Sequence, residues 1–387
     1  MIDRIHCWLS YYIHVIAFYI FRVFSIQQNK IMFSNFAGKG YSDNGKAIAE
    51  ALRTRNEVFD MVWEVADEGT QLPAYIRKVR IGSIKWIYEV VTAKVWIDNS
   101  RKLRYVRKRK GQFYIQTWHG DIGMKKVEKD AIQSLPYEYV QAAKNDSKMA
   151  DLFVAGNEWI TQQYKNAFWY DGPVAKCGYP RRDILYRENN QLAEMKEGMG
   201  LPPNTKVLFY APTFRKNQEA LGVSSFSINW ENLLDAARQR FGGNWVGLIR
   251  LHPNISHMSS MLELPKNVFD MTNYPDMQEL LAISDICISD YSSSAFEFGV
   301  TQKPAFIYAS DFEDYKNDRD TFFSLNEIPF PAALDEETLV RNILTFDDNQ
   351  YHQKSEQFYQ NRIGLYQEGH ASDYLAEVIA AQCACRN

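Results

Sequence analysis

The stretch that decides the fold runs from residue 94 to residue 120 and reads KVWIDNSRKLRYVRKRKGQFYIQTWHG. It contains two runs rich in β-branched and aromatic residues, Lys94–Asp98 and Gln112–Trp118, which are typical of buried strands. Outward from this stretch, strand-like and helix-like segments alternate from about residue 30 onward. Such alternation predicts an α/β fold with mostly parallel sheets.

The alternating pattern occurs twice along the chain. Strands are predicted in the first half at 30–36, 58–65, 94–98, 112–118, 152–155 and 174–177, and in the second half at 206–210, 245–251, 285–289 and 305–308. The sequence Leu201-Pro202-Pro203-Asn204 separates the two halves. We therefore predict two Rossmann-like domains, 29–200 and 201–370, that face a cleft, with 371–387 as a helix that packs back.

The N-terminal segment departs from the soluble profile. Ile5–Phe21 carries no formal charge and is rich in aromatic residues, which prefer the headgroup level of a bilayer. The segment is marginal for crossing a bilayer, which takes about 20 predominantly apolar residues. We predict that residues 1–28 form an interfacial helix lying on the membrane. A helix packed on the protein's own core is the alternative.

Charge is unevenly distributed along the chain. Residues 1–150 carry 24 Lys and Arg against 15 Asp and Glu, whereas residues 151–387 carry 20 against 32. Together with the basic run Arg101–Lys110, this asymmetry predicts contact with phosphate, a phosphopolymer or an anionic membrane. Nucleic acid fits less well, because no reader motif is present. The five scattered cysteines indicate reduced thiols in a cytosolic compartment.

A first motif, Gln116–Gly120, directly follows a predicted strand and precedes Lys125 and Lys126. Ligands of open α/β sheets bind at this edge, where strands end. Imidazole titrates near neutral pH, so His119 can accept a proton from an attacking hydroxyl group. A histidine that only caps the strand is the equally weighted alternative.

Two further motifs place cations at strand ends in the second half. Tyr210–Lys216 contains Arg215, whose guanidinium suits bidentate contact with phosphate. Arg250-Leu251-His252-Pro253 brings a second cation and a second histidine to the same edge. Each motif is weak alone, because a loop arginine is usually solvated and a proline often ends a strand.

The fourth motif is the hydroxyl-rich stretch Ser289–Glu297. Hydroxyl groups and free amides at a helix start form an anion site, which suits a diphosphate. Glu297, one turn into the helix, is predicted to accept from ribose hydroxyl groups. An ordinary serine N-cap is the alternative, although it needs one serine rather than three.

Two other stretches resemble functional motifs only in their residue pattern. Gly40–Ala47 nearly matches the phosphate-binding loop, but Ala47 stands where the Mg²⁺-binding hydroxyl belongs. Asp318-Arg319-Asp320 matches a metal-binding spelling, yet no predicted strand leads into it. We therefore predict no metal site.

Taken together, the four motifs resemble the CDP-glycerol glycerophosphotransferase family, the primases and polymerases of teichoic acids and related capsule polymers. The resemblance lies in Thr117–Gly120, Tyr210–Thr213, Arg250–Pro253 and Asp290–Ser293, with further similar segments at Phe36–Asn44 and Gly178–Arg181. It covers roughly residues 30–320, and the coincidence of four motifs in the family's order is far more specific than any one motif.

The resemblance implies a GT-B-like architecture, peripheral association with the cytoplasmic face of the membrane, and metal-independent transfer without a cofactor. The transfer would move glycerol phosphate from CDP-glycerol to a hydroxyl of an envelope polymer or lipid-linked acceptor. His119 would be the general base, and His252 would contact the donor phosphates or assist the leaving group. The implied donor-binding residues are Thr213, Arg215, Arg250, Asp290, Ser292, Ser293, Ser294 and Glu297, and those on the acceptor or phosphate side are Ser42, Asn44, Gly120, Lys125 and Lys126.

One departure from the family pattern concerns the polyol. Family members usually carry an acidic residue just after the arginine that matches Arg215, whereas Lys216 and Asn217 follow it here. The donor polyol, glycerol or ribitol, therefore stays open. Functions of other classes also stay open at this stage: a nucleotide-sugar glycosyltransferase, a phosphate-binding-loop hydrolase or a non-catalytic envelope scaffold.

Overall fold

A computed structural model describes residues 2–202, 204–213, 227–312 and 322–385. The strands are β1 (Gln27–Ser34), β2 (Asp60–Val65), β3 (Arg77–Arg80), β4 (Ala93–Asp98), β5 (Phe113–Gln116), β6 (Leu152–Ala155), β7 (Val174–Lys176), β8 (Lys206–Ala211), β9 (Trp245–Ile249), β10 (Val268–Asp270), β11 (Ile286–Ser289), β12 (Ala305–Tyr308) and β13 (Ala332–Ala333). The α-helices are α1 (Ile2–Ile20), α2 (Asp43–Arg53), α3 (Ile84–Thr92), α4 (Tyr137–Met149), α5 (Glu158–Ala167), α6 (Asn189–Gly198), α7 (Trp230–Phe241), α8 (Met277–Ile283), α9 (Ser293–Gly299), α10 (Glu336–Leu344), α11 (Asp348–Glu356) and α12 (Ala371–Ala384). The predicted α/β class with parallel sheets is confirmed.

The first unit is built on a seven-stranded parallel sheet in the order β3-β2-β1-β4-β5-β6-β7. Successive residues of a strand point to opposite faces, and both faces are covered. Ile31 and Phe33 pack with residues of α2 and α12, whereas Met32 packs with Trp86 of α3 on the other face. Burial on both faces explains why Ile31, Met32 and Phe33 are apolar in succession.

The second unit has a six-stranded parallel sheet in the order β10-β9-β8-β11-β12-β13. Its central strands are fully buried, as the zero exposure of Leu208, Leu248 and Ile288 shows. The helices α7 and α9 contribute Trp230 and Phe296 to the buried residues of this unit.

The unit boundaries differ from the predicted domain boundaries. The first unit comprises residues up to Asp121, Val127–Asp183 and the chain from Leu365 on; the second comprises Ile122–Lys126 and Ile184–Gly364. The second unit begins before residue 201 because α6 packs against α8. The chain after residue 364 returns to the first unit, where α12 packs against α2 as part of the core.

The N-terminal helix α1 has two different faces. On one face Phe18 is fully buried and lies edge-on to Trp86 at 5.8 Å, while the His14 ring lies 4.4 Å from that of Tyr105. The alternative of a helix packed on the protein's own core is therefore right for this face. The other face exposes large apolar residues, namely Tyr12, Ile13, Ile16, Tyr19 and Ile20. Among the described helices, none has the length and apolarity that a bilayer span requires.

The basic run after β4 is largely engaged within the first unit. Arg101 bonds to the carboxylates of Glu128 and Asp146, each at 3.1 Å, and Lys102 pairs with Asp98 at 2.7 Å. The side chains of Arg101 and Lys102 are 5% and 3% exposed. Their prediction as part of an anion-facing surface is wrong, because buried carboxylates already neutralise them. The outer cations of the run also have partners, in the pairs Arg104–Glu138, Arg107–Tyr11 and Lys108–Asp151.

Candidate active site

The His119 ring lies beside the switch point of the first sheet, where the strand order reverses between β1 and β4, because it contacts Phe36 after β1 and Asn99 after β4. Ligands of open α/β sheets bind at such a point, outside the carboxyl ends of the strands. The His119 loop leaves β5 through Trp118, whose φ of +57° turns the chain. The Trp118 indole lies against the imidazole of His119, with ring centroids 4.3 Å apart. The ring of Phe36, which follows β1, also contacts the imidazole.

One hydrogen bond fixes the tautomer of His119. Its Nδ1 lies 2.6 Å from the carbonyl oxygen of Asn99, the residue that follows β4. A carbonyl oxygen can only accept, so Nδ1 carries the proton and Nε2 is the nitrogen able to accept one. Burial lowers the pKa of His119, although the Asn99 carbonyl and the charge of Asp43 both raise it. The imidazole is therefore neutral at pH 7, as a general base must be.

Ser42 and Asn44 lie beside this loop as parts of its support. The Asn44 side chain is fully buried; its Nδ2 donates to the Trp118 carbonyl at 3.0 Å and its Oδ1 accepts from the Arg181 backbone at 3.1 Å. The Ser42 hydroxyl accepts from Asn35 Nδ2 at 3.1 Å. These hydrogen bonds show that Ser42 and Asn44 help to hold the His119 loop in place. Their contact with acceptor or phosphate stays a prediction.

The remaining residues predicted on the acceptor side are divided between the units. Gly120 belongs to the first unit and is half-buried. Lys125 and Lys126 belong to Ile122–Lys126, the short segment that is part of the second unit, and both are half-buried. The segment is held there by the Phe322 backbone N–H, which donates to the Met124 carbonyl at 2.7 Å.

In the second unit, the loops at the switch point between β8 and β11 are joined by one carboxylate. Asp290 directly follows β11, and its Oδ2 accepts from both the backbone N–H and the hydroxyl of Thr213, at 2.9 and 3.0 Å. Asp290 is 3% exposed. The structure brings these two residues together, and the contact fixes Thr213 shortly after the end of β8. Their predicted contact with the donor stays a prediction.

Arg250 follows β9 at the same edge of the second sheet. Its Nη1 is buried and has no hydrogen-bond partner within the described residues. Burial lowers the pKa of Arg250, although the negative charge of Asp276 raises it. A buried guanidinium nitrogen without a partner is costly, so an anion bound here would supply the missing acceptor.

The ring of His252 has the other neutral tautomer from that of His119. His252 caps the 3₁₀ helix Pro253–Met261, and its Nδ1 accepts from the backbone N–H of Asn254 at 3.2 Å. The neutral ring therefore carries its proton on Nε2, which makes Nε2 a hydrogen-bond donor. A donor suits contact with a phosphate oxygen or a leaving group, as predicted for this residue.

The serine-rich motif begins helix α9. The hydroxyl of Ser292 accepts from the backbone N–H of Ser294 at 3.2 Å and lies 2.8 Å from its hydroxyl. Ser292 is therefore an N-cap, whereas Ser293 is half-buried and lies on the first turn. Glu297 is 2% exposed, in the second turn. Arg215 lies outside the described residues.

Comparison with known proteins identifies the group to which the chain belongs. The family model described as CDP-glycerol:poly(glycerophosphate) glycerophosphotransferase matches residues 16–381. The chain belongs to this family. The resemblance drawn from its four motifs is confirmed.

Two curated relatives and one solved structure show how far the similarity extends. The teichoic acid poly(glycerol phosphate) polymerase of Staphylococcus epidermidis is 29% identical over 92% of this chain, which spans 51% of that protein. The teichoic acid glycerol-phosphate transferase of Staphylococcus aureus is 30% identical over 91% of this chain and 93% of its own length. A histidine-to-asparagine variant of the wall teichoic acid polymerase TagF, soaked with CDPG, superposes with a TM-score of 0.80 at 29% identity, covering 92% of this chain and 90% of that one.

In this glycerophosphotransferase-family chain, Gly40–Ala47 does not form a phosphate-binding loop. Helix α2 already begins at Asp43, so Gly45 lies inside the helix, where a Cβ would come 2.9 Å from the Trp63 ring. The buried carboxylate of Asp43 would also repel a phosphate. Asp318–Asp320 lies outside the described residues. The described part of the chain contains no group of three or more His, Cys, Asp or Glu residues that could hold a metal ion.

Sequence reasoning gave no role to three residues that surround the base. Asn99 holds the His119 ring, and Asp43 and Arg181 form a buried ion pair nearby. Asp43 and Arg181 belong to the segments similar to the family, 36–44 and 178–181, so that similarity was the available signal. Asn99 gave no signal beyond its place at a strand end.

Proposed function

We propose that this chain transfers glycerol phosphate, or a related polyol phosphate, from a CDP-activated donor to a hydroxyl of a cell-envelope polymer or lipid-linked acceptor, and releases CMP. The observation that carries this proposal is the fixed tautomer of His119 at the switch point of the first sheet. Membership of the glycerophosphotransferase family and the likeness to a TagF variant soaked with CDPG support CDP-glycerol as the donor.

In the proposed step, the acceptor hydroxyl oxygen attacks the β-phosphorus of the donor. The bond from that phosphorus to the bridging oxygen breaks, and CMP leaves with the electron pair. His119 Nε2 takes the hydroxyl proton as the new phosphorus–oxygen bond forms. Phosphoryl transfer of this kind depends mainly on positioning and on neutralising charge, which fixed cations and hydrogen-bond donors provide.

The second unit is proposed to hold the donor diphosphate. Arg250 has a buried Nη1 with no partner within the described residues, and the neutral His252 ring carries its proton on Nε2. A bound diphosphate would accept a hydrogen bond from Arg250 Nη1 and another from His252 Nε2. The negative charge of the diphosphate makes both hydrogen bonds stronger. Contributions from Arg215 and from Ser292–Ser294 remain predictions.

A GT-B-like architecture, with an acceptor-binding unit and a donor-binding unit, is part of the proposal. The two parallel sheets support it, because each has its candidate residues at the carboxyl edge beside a switch point. The similarity to the TagF variant over 92% of the chain also supports it.

We further propose that the chain associates peripherally with the cytoplasmic face of the membrane through α1. The support is the exposed apolar face of this helix, where Ile13, Ile16 and Ile20 are 55%, 56% and 62% exposed. An amphipathic helix of this kind lies in the plane of the interface. The other face is anchored by Phe18, which would hold the exposed face at a fixed orientation on the first unit.

A donor panel tests the proposed function. The full chain is incubated with a primed acceptor and with CDP-glycerol, CDP-ribitol or a UDP-sugar, and the release of CMP or UDP is measured. Release of CMP that depends on acceptor, unchanged in excess EDTA, is the expected result. Release of UDP from a UDP-sugar alone would instead identify a glycosyltransferase, and Mg²⁺-dependent turnover of ATP or GTP would identify a hydrolase.

A further inference from the structure

Asp43 adopts a backbone conformation that a non-glycine residue rarely takes, with φ at +63°. Strain of this kind persists only where surrounding contacts hold it, and it clusters at functional sites. Trp118 and Phe36, which contact the His119 ring, are also left-handed, with φ at +57° and +44°, and so is Ala37, with φ at +55°.

Both carboxylate oxygens of Asp43 are engaged by residues that follow other strands. Its Oδ2 accepts from Arg181 Nη1 at 2.7 Å, and its Oδ1 accepts from Asn99 Nδ2 at 2.9 Å. The Asp43 and Arg181 side chains are 7% and 6% exposed, so this ion pair is little screened by water.

Asn99 links Asp43 to His119, because it makes a hydrogen bond with each of them. Its Nδ2 also donates to Asn35 Oδ1 at 2.7 Å, and its Oδ1 accepts from the Phe36 backbone at 2.8 Å. These bonds hold the Asn99 side chain on both sides of its amide. The carbonyl oxygen of the same residue accepts from His119 Nδ1 at 2.6 Å, so the orientation of the imidazole depends on Asn99.

We propose that Asp43 is a positioning residue for His119: it acts through Asn99 to hold the ring in the tautomer that leaves Nε2 able to accept a proton, and Arg181 balances its charge. This role extends the proposed function, in which His119 is the general base. In arrangements of base and orienter, the third group usually contacts the imidazole itself. Here the Asp43 carboxylate does not contact the imidazole. It accepts from the side chain of Asn99, and the backbone carbonyl of Asn99 contacts the His119 ring.

The ion pair gives Asp43 and Arg181 opposite effects on the base. When His119 accepts a proton it becomes positively charged, so the negative charge of Asp43 favours that state and the positive charge of Arg181 opposes it. Glu128 acts on the ring in the same direction as Asp43, and its own partner is Arg101. Burial is what lowers the pKa of His119, and the ion pair adds two effects of opposite sign to it.

The test is a direct titration of His119 in the full-length chain, with ¹⁵N-labelled histidine and NMR detection. The His119→Gln spectrum assigns its signals. We expect Asp43→Asn to move the midpoint down by roughly half a pH unit and to mix the two neutral tautomers, since an opposite charge has been removed. Arg181→Gln should move the midpoint up by a similar amount, because Asp43 is then unopposed. Arg181→Lys keeps the charge and should leave the midpoint near that of the parent chain.

A matched control removes a different buried carboxylate from the same unit. Glu89 pairs with Lys30 at 2.7 Å, with side-chain exposures of 4% and 1%. Glu89→Gln should lower the melting temperature while the midpoint and tautomer of His119 stay unchanged. If the Asp43→Asn and Arg181→Gln variants behave like this control, or shift the midpoint in the same direction, the positioning role is overturned. If Asp43→Asn does not fold, Arg181→Gln and Arg181→Lys still decide the question.

The titration is read in the resting protein and needs no turnover. A chain that keeps normal turnover after His119→Ala would refute the base assignment of the proposed function, yet would leave the NMR result intact. Conversely, unaltered titrations in the Asp43→Asn and Arg181→Gln variants would refute the positioning role alone. As a second readout, the acid limb of kcat/KM against pH should shift in the same two directions as the NMR midpoints.

Discussion

Nδ1 of His119 lies 2.6 Å from the carbonyl oxygen of Asn99, and this contact decides which ring nitrogen can act as a base. His252 shows the reverse arrangement, because its Nδ1 accepts from the backbone N–H of Asn254. The two histidines that the motifs single out are therefore not equivalent. One ring offers an acceptor at Nε2 and the other offers a donor, which are the two roles that the proposed transfer needs.

Replacement of His119 by alanine should abolish transfer while donor binding is largely kept. The proposed base acts on the acceptor hydroxyl, so its loss should lower turnover about 10²–10⁴-fold. CMP release measures turnover, and calorimetry with CDP-glycerol measures donor binding. Near-normal turnover would show that the catalytic assignment is wrong, and a loss of donor binding instead would show that the two histidines have exchanged roles.

The pH profile should carry the signature of a lowered histidine pKa. Burial lowers the pKa of His119 below the ordinary value for histidine, and the base works only in its neutral form. Activity should therefore stay constant as the pH falls through the ordinary range of histidine, and decline only at lower pH. The measurement is kcat/KM from pH 5 to 8, with thermal melting at each pH to exclude unfolding. A decline centred above the ordinary value would contradict the assignment.

The fold was predictable from sequence because its strands are buried on both faces. Val95–Ile97 in β4 and Phe113–Ile115 in β5 are apolar in succession, and Asp98 and Gln116 mark the edge where these strands end. The boundary between units was not predictable in the same way. Leu201-Pro202 looks like a linker, but α6 before it packs against α8, a long-range contact that no local signal announces.

The positions of single candidate residues at strand ends were predictable, whereas the contacts that support them were not. His119, Arg250 and Asp290 stand at strand ends, and this local rule found all three. The basic run was misinterpreted because net charge says nothing about partners. Glu128 and Asp146 neutralise Arg101 from distant points of the chain, and only the folded structure brings the three together.

The buried and exposed cations of that run should differ in their effect on stability. Arg101→Ala leaves two buried carboxylates unpaired and should cost about 3–5 kcal/mol of the free energy of unfolding. Arg104→Ala removes an exposed pair with Glu138 and should cost about 0–1 kcal/mol. Urea denaturation of both variants provides the comparison. Equal losses would mean that the contacts of Arg101 do not contribute as its burial indicates.

Membrane binding should depend on the exposed face of α1. Replacing Ile13, Ile16 and Ile20 by serine removes three large apolar side chains from one face and should abolish flotation with liposomes. As a control, Val58→Ser and Ile84→Ser remove residues that are 85% and 75% exposed elsewhere in the first unit, and flotation should be unchanged. Flotation is measured with anionic and with neutral vesicles. Retention of binding by the triple variant would assign the contact to another surface.

Arg250 should be required for donor binding rather than for the chemistry of the acceptor. Its Nη1 is buried with no partner in the described part of the chain, so a diphosphate that accepts from it satisfies a nitrogen that is otherwise unpaired. Truncating one member of a buried, hydrogen-bonded charge pair costs about 2 kcal/mol or more, which is roughly a 30-fold rise in Kd.

Arg250→Met should therefore weaken binding of CDP-glycerol by this factor, as measured by calorimetry. Arg250→Lys should restore little, because a lysine lacks the planar guanidinium whose Nη1 has no partner among the described residues. Arg240→Met, which removes a half-exposed arginine from α7 of the same unit, serves as the matched control and should bind normally. Should Arg250→Met bind the donor as tightly as this control, the donor diphosphate binds elsewhere.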